Sequence, residues 1–214
     1  MRRLLLVAAS IVSSAMYVVS APPAVAAQAA RDTASRVVID NPRVRIFRTA
    51  AGSLSGVDHG PAVVVALEDG PGAKTGAAVW VDDAAAPTGA GGMKGEIVIV
   101  SPRQSSSAPS AAAGSKPGEA QFTGMSFTPM FENERVSTIR ARMEVGAREG
   151  FHTHGSDTVV VHLSGGEIED TADGKTVVNR WKRGDVEFEA LGSSHSARNV
   201  AGAIDVVLVV LKRP

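Results

Sequence analysis

From about residue 30 onward no segment carries a capped helical stripe, and apolar residues come instead in short β-rich runs bounded by Gly, Pro or Asp. The runs fall at 37–39, 43–48, 62–67, 77–81 and 96–100, then at 137–144, 158–163, 175–181, 185–189 and 204–211. In 185–189, Val186 and Phe188 share one face while Asp185, Glu187 and Glu189 share the other, which predicts a solvated acidic face. With 22 Gly and 11 Pro in 214 residues, the connections read as turns. Closely spaced short strands fold into a sandwich or barrel, the jelly roll among them. The expectation is an all-β protein.

Composition removes several function classes. Lys+Arg and Asp+Glu balance at 22 each, so there is no electrostatic footprint for nucleic acid. The absence of Cys excludes disulfides, Cys-ligated zinc, iron–sulfur clusters and a Cys nucleophile. Aromatic residues make up only 4% of the chain, too few for a stacking platform for bases or sugars.

Residues 1–27 read as a secretory signal: Arg2-Arg3, an apolar stretch from Leu4 to about Ala21, and an A-x-A pattern at Ala24 and Ala26. The stretch contains four Ser and ends at Pro22-Pro23, which argues against a retained membrane anchor. Cleavage after about Ala26 leaves 20 Lys+Arg against 22 Asp+Glu, a charge of −2. The expected location is the periplasm or the extracellular space.

Residues 104–120 lie in a Ser/Ala/Pro/Gly-rich stretch without apolar periodicity and read as a flexible linker. On either side, 35–103 and 121–214 repeat an order of features. Asn41-Pro-Arg-Val44, His59, Val63–Val65, Lys74-Thr75, Trp80 and 96–100 come first. Asn133-Glu-Arg-Val136, His154, Val159–Val161, Lys175-Thr176, Trp181 and 205–210 follow. That order predicts two related β halves.

Four of the five histidines, His152, His154, His162 and His195, fall in the second half. His152 and His154 are two apart, so in an extended segment both rings project from one face, roughly 6–7 Å apart along the strand. A third imidazole from another strand would complete a compact site with open coordination positions, and His195, after the turn 190–194, is the candidate donor. His162 shares parity with Thr158 and Val160 and should face the same way, as a hydrogen-bond donor behind the ligands or as an acid/base group. His59, beside Gly60-Pro61 and without a partner His in its half, reads as a surface turn residue. Asp157 has the wrong parity for a ligand and reads as a turn cap. Met125, Met130, Met143, Phe127 and Phe131 read as core or barrel lining.

These spacings resemble a family. Gly146, five residues, His152-Thr-His154, three residues, Thr158, six residues and Gly165 resemble the first motif of the cupins. Gly184, five residues, Ala190, one residue, Gly192, two residues, His195, three residues and Asn199 resemble the second. The resemblance implies a cupin-type jelly-roll barrel in 121–214, a degenerate cupin in 35–103, and a divalent metal held by His152, His154 and His195. Fe(II) is the first choice for that metal, with Zn, Mn or Ni as alternatives. The sequence departs from the motif at Thr158, where the family usually places a Glu ligand, and at Ala190, where it places Pro. Three-His sites of this kind occur among iron-dependent dioxygenases of the superfamily. The expected function is therefore a metal-dependent oxygenase acting on a small organic molecule. A Zn or Mn isomerase, decarboxylase or hydrolase and a non-enzymatic exported binding module are the alternatives. The resemblance also allows a homodimer.

Overall fold

The computed structural model describes residues 35–82, 90–103 and 122–212. The expected signal segment, 1–27, and the expected linker, 104–120, lie outside the described residues.

The first half forms β1 (Arg36–Asp40), β2 (Val44–Ala50), β3 (Ala62–Ala66), β4 (Ala78–Val81) and β5 (Glu96–Pro102), with a 3₁₀ turn at Ala51–Gly56. The second forms β6 (Phe122–Glu132), β7 (Val136–Thr153), β8 (Thr158–His162), β9 (Gly166–Ala172), β10 (Lys175–Trp181), β11 (Val186–Glu189), β12 (Ser194–Ala201) and β13 (Ile204–Leu211). The strands that the sequence does not announce are β6, β9 and β12. Gly124 and Pro129 interrupt β6, while β9 and β12 are mostly polar or small, so none shows the β-branched alternation of a half-buried strand.

The first sheet runs β1-β2-β5-β3-β4, and the second contains the run β6-β7-β13-β8-β11. The two orders correspond strand for strand, which gives the repeat a structural form. The correspondence reaches the turns. Asn41 Oδ1 accepts from the backbone N–H groups of Arg43 (2.8 Å) and Val44 (2.9 Å), and Asn133 Oδ1 does the same for Arg135 (2.8 Å) and Val136 (2.9 Å). It fails at the tryptophans. Trp80 lies in β4, beside β3, whereas Trp181 lies in β10, which pairs with β9 away from β8.

The halves share a core. Val44, Ile46, Val63, Val65, Val98 and Val100 of the first sheet pack against Val136, Val159, Val161, Val207, Val209 and Leu211 of the second. The opposite face of the first sheet buries Phe47, Val64, Ile97 and Ile99 against Leu54 and Val57. Strands covered on both faces read as continuous apolar runs, and β3 (AVVVA) is fully buried. Arg140 adds a polar link, donating to both Asp205 oxygens (3.0 and 2.6 Å) and to the Thr75 carbonyl (3.3 Å). His59 departs from the surface position expected of it. It is buried, with Nδ1 against the Gly60 carbonyl, because the segment after the 3₁₀ turn folds back over the first sheet.

β7 makes the barrel. Up to Met143 it pairs with β13, and from Arg148 it pairs with β12, so one strand serves two walls. The bend between them passes through Gly146 at φ +84°, a conformation that a side chain disfavours. The far wall, β10-β9-β12 and the second leg of β7, has no counterpart among the described residues of the first half. All eight strands of the second half line one cavity of about 250 Å³.

Candidate metal centre

Register brings the histidines together. Pairing of β12 with the second leg of β7 sets His195 directly opposite His152. His154 follows one residue past β7 and keeps the ladder going: its N–H donates to the Ser193 carbonyl (2.9 Å), and its carbonyl accepts from Gly192 N–H (2.9 Å). The ring centroids are 4.7–5.0 Å apart, and one nitrogen from each ring can be chosen so that all three lie within 4.8 Å of one another.

Hydrogen bonds behind the rings fix which nitrogen faces inward. His152 Nδ1 meets the Gly150 carbonyl at 3.0 Å, and His195 Nδ1 meets Asp170 Oδ1 at 2.9 Å. Both partners can only accept, so both Nδ1 atoms carry the proton and leave the Nε2 lone pairs free. His154 Nε2 lies 3.1 Å from His195 Nε2. Two nitrogens bound to one ion at about 2.0–2.1 Å and subtending about 90° are themselves about 3 Å apart. The donor set fits a divalent ion that accepts imidazole.

Four carboxylates surround the cluster or line the same cavity: Glu149, Asp170, Glu187 and Glu189. This corrects the expectation of a solvated acidic face on β11. Val186 and Phe188 do share a face, but that face packs on the core between the sheets, so Glu187 and Glu189 turn into the barrel. Burial, reinforced by Glu187, Glu149 and Asp170, pushes the Glu189 carboxyl up to about 8. Burial also raises Glu149, against the pull of His152 and His195. His154 is lowered to about 4, by burial first and then by repulsion from the other two rings. Near pH 7 the 3.6 Å approach of Glu189 Oε2 to His154 Nδ1 is therefore a contact between neutral groups.

The other candidate residues separate into distinct environments. Thr158 is buried and lines the cavity, with its hydroxyl turned to the Ser156 carbonyl at 3.5 Å. His162 lines the cavity too, but its ring stacks on Trp181 with centroids 4.4 Å apart, and its Nε2 lies 3.7 Å from Glu187. Neither of its nitrogens has a hydrogen-bond partner among the described residues. Asp157 faces away from the cluster, ion-paired to Arg43 at 2.6 Å. Met125, Met143 and Phe127 line the cavity, joined by Ile168 and Leu208, while Met130 and Phe131 pack against the core between the sheets. Sequence reasoning missed Glu149 and Asp170, whose positions follow from the β7 bend and from the pairing of β9 with β12.

An antiparallel sheet curled around a pocket, with a glycine-bent strand and a returning strand converging three imidazoles, is a barrel of the jelly-roll kind. Solved structures that the chain resembles include cupin domains. A cupin domain from Bordetella pertussis Tohama I is 26% identical, over 43% of this chain and 97% of that one, with a TM-score of 0.40. An RmlC-like cupin from Shewanella frigidimarina is 20% identical over 50% and 90%, with a TM-score of 0.35. A cupin 2 conserved barrel domain protein from Leptotrichia buccalis is 12% identical over 84% and 88%, with a TM-score of 0.49. No family model and no curated protein matches the chain.

Proposed function

We propose that this chain binds one divalent metal ion through His152, His154 and His195 and uses it as an Fe(II)-dependent dioxygenase of a small organic molecule. The convergence of three imidazoles, two of them held by their Nδ1 partners with Nε2 inward, carries the metal assignment. Bound Fe(II) would supply open coordination positions for substrate and dioxygen. The chain's own contribution is positional. Asp170 and the Gly150 carbonyl hold two rings in place, while Met143, Val160, Ile168 and Leu208 give the cavity an apolar side beside its polar one. A cavity of about 250 Å³ suits a small molecule.

Metal analysis of the full chain purified without a His tag should find about one ion per chain, removable by chelator. No ion bound under any loading condition would overturn the assignment. Oxygen uptake by Fe(II)-loaded protein with candidate thiols and diketones tests the dioxygenase step. Substrate turnover that consumes no oxygen would replace that step with Lewis-acid chemistry.

The same proposal places the protein outside the cytoplasm, on the strength of residues 1–27. N-terminal sequencing of the exported protein should begin near Ala27. A product that retains Met1 would contradict it.

A further inference from the structure

We propose that Glu187, steadied by His162, recognises the substrate, and that the substrate carries a primary ammonium group at the end remote from the metal. The proposal rests on the metal-binding reading above and adds the substrate's chemistry to it. The cavity has two ends. At one, Glu189 approaches His154 at 3.6 Å and stands opposite Thr158 in register. Alternate residues of β8 and β11 carry the wall away from the histidine cluster, through Glu187 and its partner Val160 to His162, and all of them line the cavity. Two residues of strand advance about 6–7 Å, so Glu187 stands about that far along the wall from Glu189.

Glu187 is the cavity carboxylate left without a counter-charge. Among the described residues, no Lys or Arg comes within 4.0 Å of Glu149, Asp170, Glu187 or Glu189. Arg142 lines the cavity, but its Nε donates to Glu144 at 2.6 Å. Glu149, Asp170 and Glu189 each have a ring of the metal cluster within 4.0 Å, whereas the neighbour of Glu187 is His162 Nε2, at 3.7 Å. His162 is the observation that points to a ligand. It is 2% exposed, neither nitrogen has a partner among the described residues, and its ring lies flat on Trp181 at an interplanar angle of 16°. Buried imidazole nitrogens without partners are costly, and closing the gap to Glu187 satisfies Nε2–H. The stacked ring is fixed, while the Glu187 side chain, 28% exposed, has room to turn. One Glu187 oxygen then accepts from His162, and the other faces the cavity as an anionic acceptor. A primary ammonium group satisfies it with a charge-assisted hydrogen bond. An apolar tail would desolvate the carboxylate without pairing it, and an anionic tail would meet like charge.

The test uses the full untagged chain loaded with Zn(II) and three hydroxamates that share a chelating head and differ in the tail. These are 4-aminobutanehydroxamate, its isostere pentanehydroxamate with methyl in place of ammonium, and succinic monohydroxamate. Calorimetry should show the amino compound binding about 10-fold or more tightly than pentanehydroxamate, with the succinic compound weakest. Glu187→Gln should abolish that preference by weakening the amino compound alone. His162→Phe keeps the stack on Trp181 and removes the donor, and should cut the preference by about 3-fold or more. The ratio of two ligands on one variant cancels general loosening of the barrel, so a merely structural role for His162 would not move it. Equal binding of the amino compound and pentanehydroxamate to the wild type would overturn the proposal, as would a preference that survives Glu187→Gln. Should that variant not fold, Glu187→Asp decides, since it withdraws the carboxylate by one methylene and an unchanged preference overturns the proposal. A full preference in His162→Phe would overturn the part given to His162. Protein that holds Zn(II) but binds none of the hydroxamates removes this inference and leaves the metal site standing, whereas protein that binds no Zn(II) removes both.

Discussion

Replacing His195 with Ala should end stoichiometric metal binding while leaving the barrel folded. A structural zinc site of four ligands is worth about 10–16 kcal/mol, so one ligand accounts for about 2.5–4 kcal/mol, roughly a 10²–10³-fold loss of affinity. His195 should sit at the upper end of that range. It stands opposite His152 in register, closest to His154 through Nε2, and is held by Asp170. Its removal also leaves Asp170 and Glu149 without their imidazole neighbour in a half-buried pocket. The backbone has no such dependence, because β12 is paired on both sides, with β7 and β9. Calorimetric titration with Zn(II), together with the far-UV spectrum of the metal-free variant, checks both halves of this statement. Wild-type affinity in the Ala variant would remove His195 from the site.

Asp157→Ala should give the largest loss of stability among single changes near the site. The Arg43–Asp157 pair joins the halves at 2.6 Å, with side-chain exposures of 14% and 7%. Asp157 also accepts the Leu191 N–H at 2.9 Å, which ties the loop after His154 to the turn that leads into His195. Removing one partner of a buried ion pair strands the other charge, at a cost of about 3–5 kcal/mol. For a chain of this size that corresponds to a fall in melting temperature of roughly 6–20 °C. Removing both charges with Arg43→Met and Asp157→Leu should cost much less, because no ion is then left buried alone. Denaturant unfolding of the two variants checks the order. A single variant within 1 kcal/mol of wild type would show that the pair contributes little.

The two predictions differ in how visible they were beforehand. The His152, His154 and His195 set was legible because residues two apart on a strand share a face and because the motif spacings point to the third ring. The Arg43–Asp157 pair was not, since 114 positions separate its members and nothing local couples them. Glu189 lies between these cases. Its alternation with Val186 and Phe188 is legible in the sequence, but the side that faces solvent is not, because the apolar face of β11 packs on the core shared with the first sheet. The strands β6, β9 and β12 are not legible in the sequence, because glycine, proline or polar composition hides a strand that is held mainly by its neighbours.

By itself, the sequence determined an all-β chain, the repeated order of its strands and the three imidazoles that can meet. Those follow from period-two alternation and spacing, which are local properties of the backbone. Only the tertiary structure decided that the first sheet covers the outside of the barrel, that acidic residues face its interior, and that Glu189 stands opposite Thr158. Alternation says which side chains travel together; only the packing of one sheet on another says which way they look.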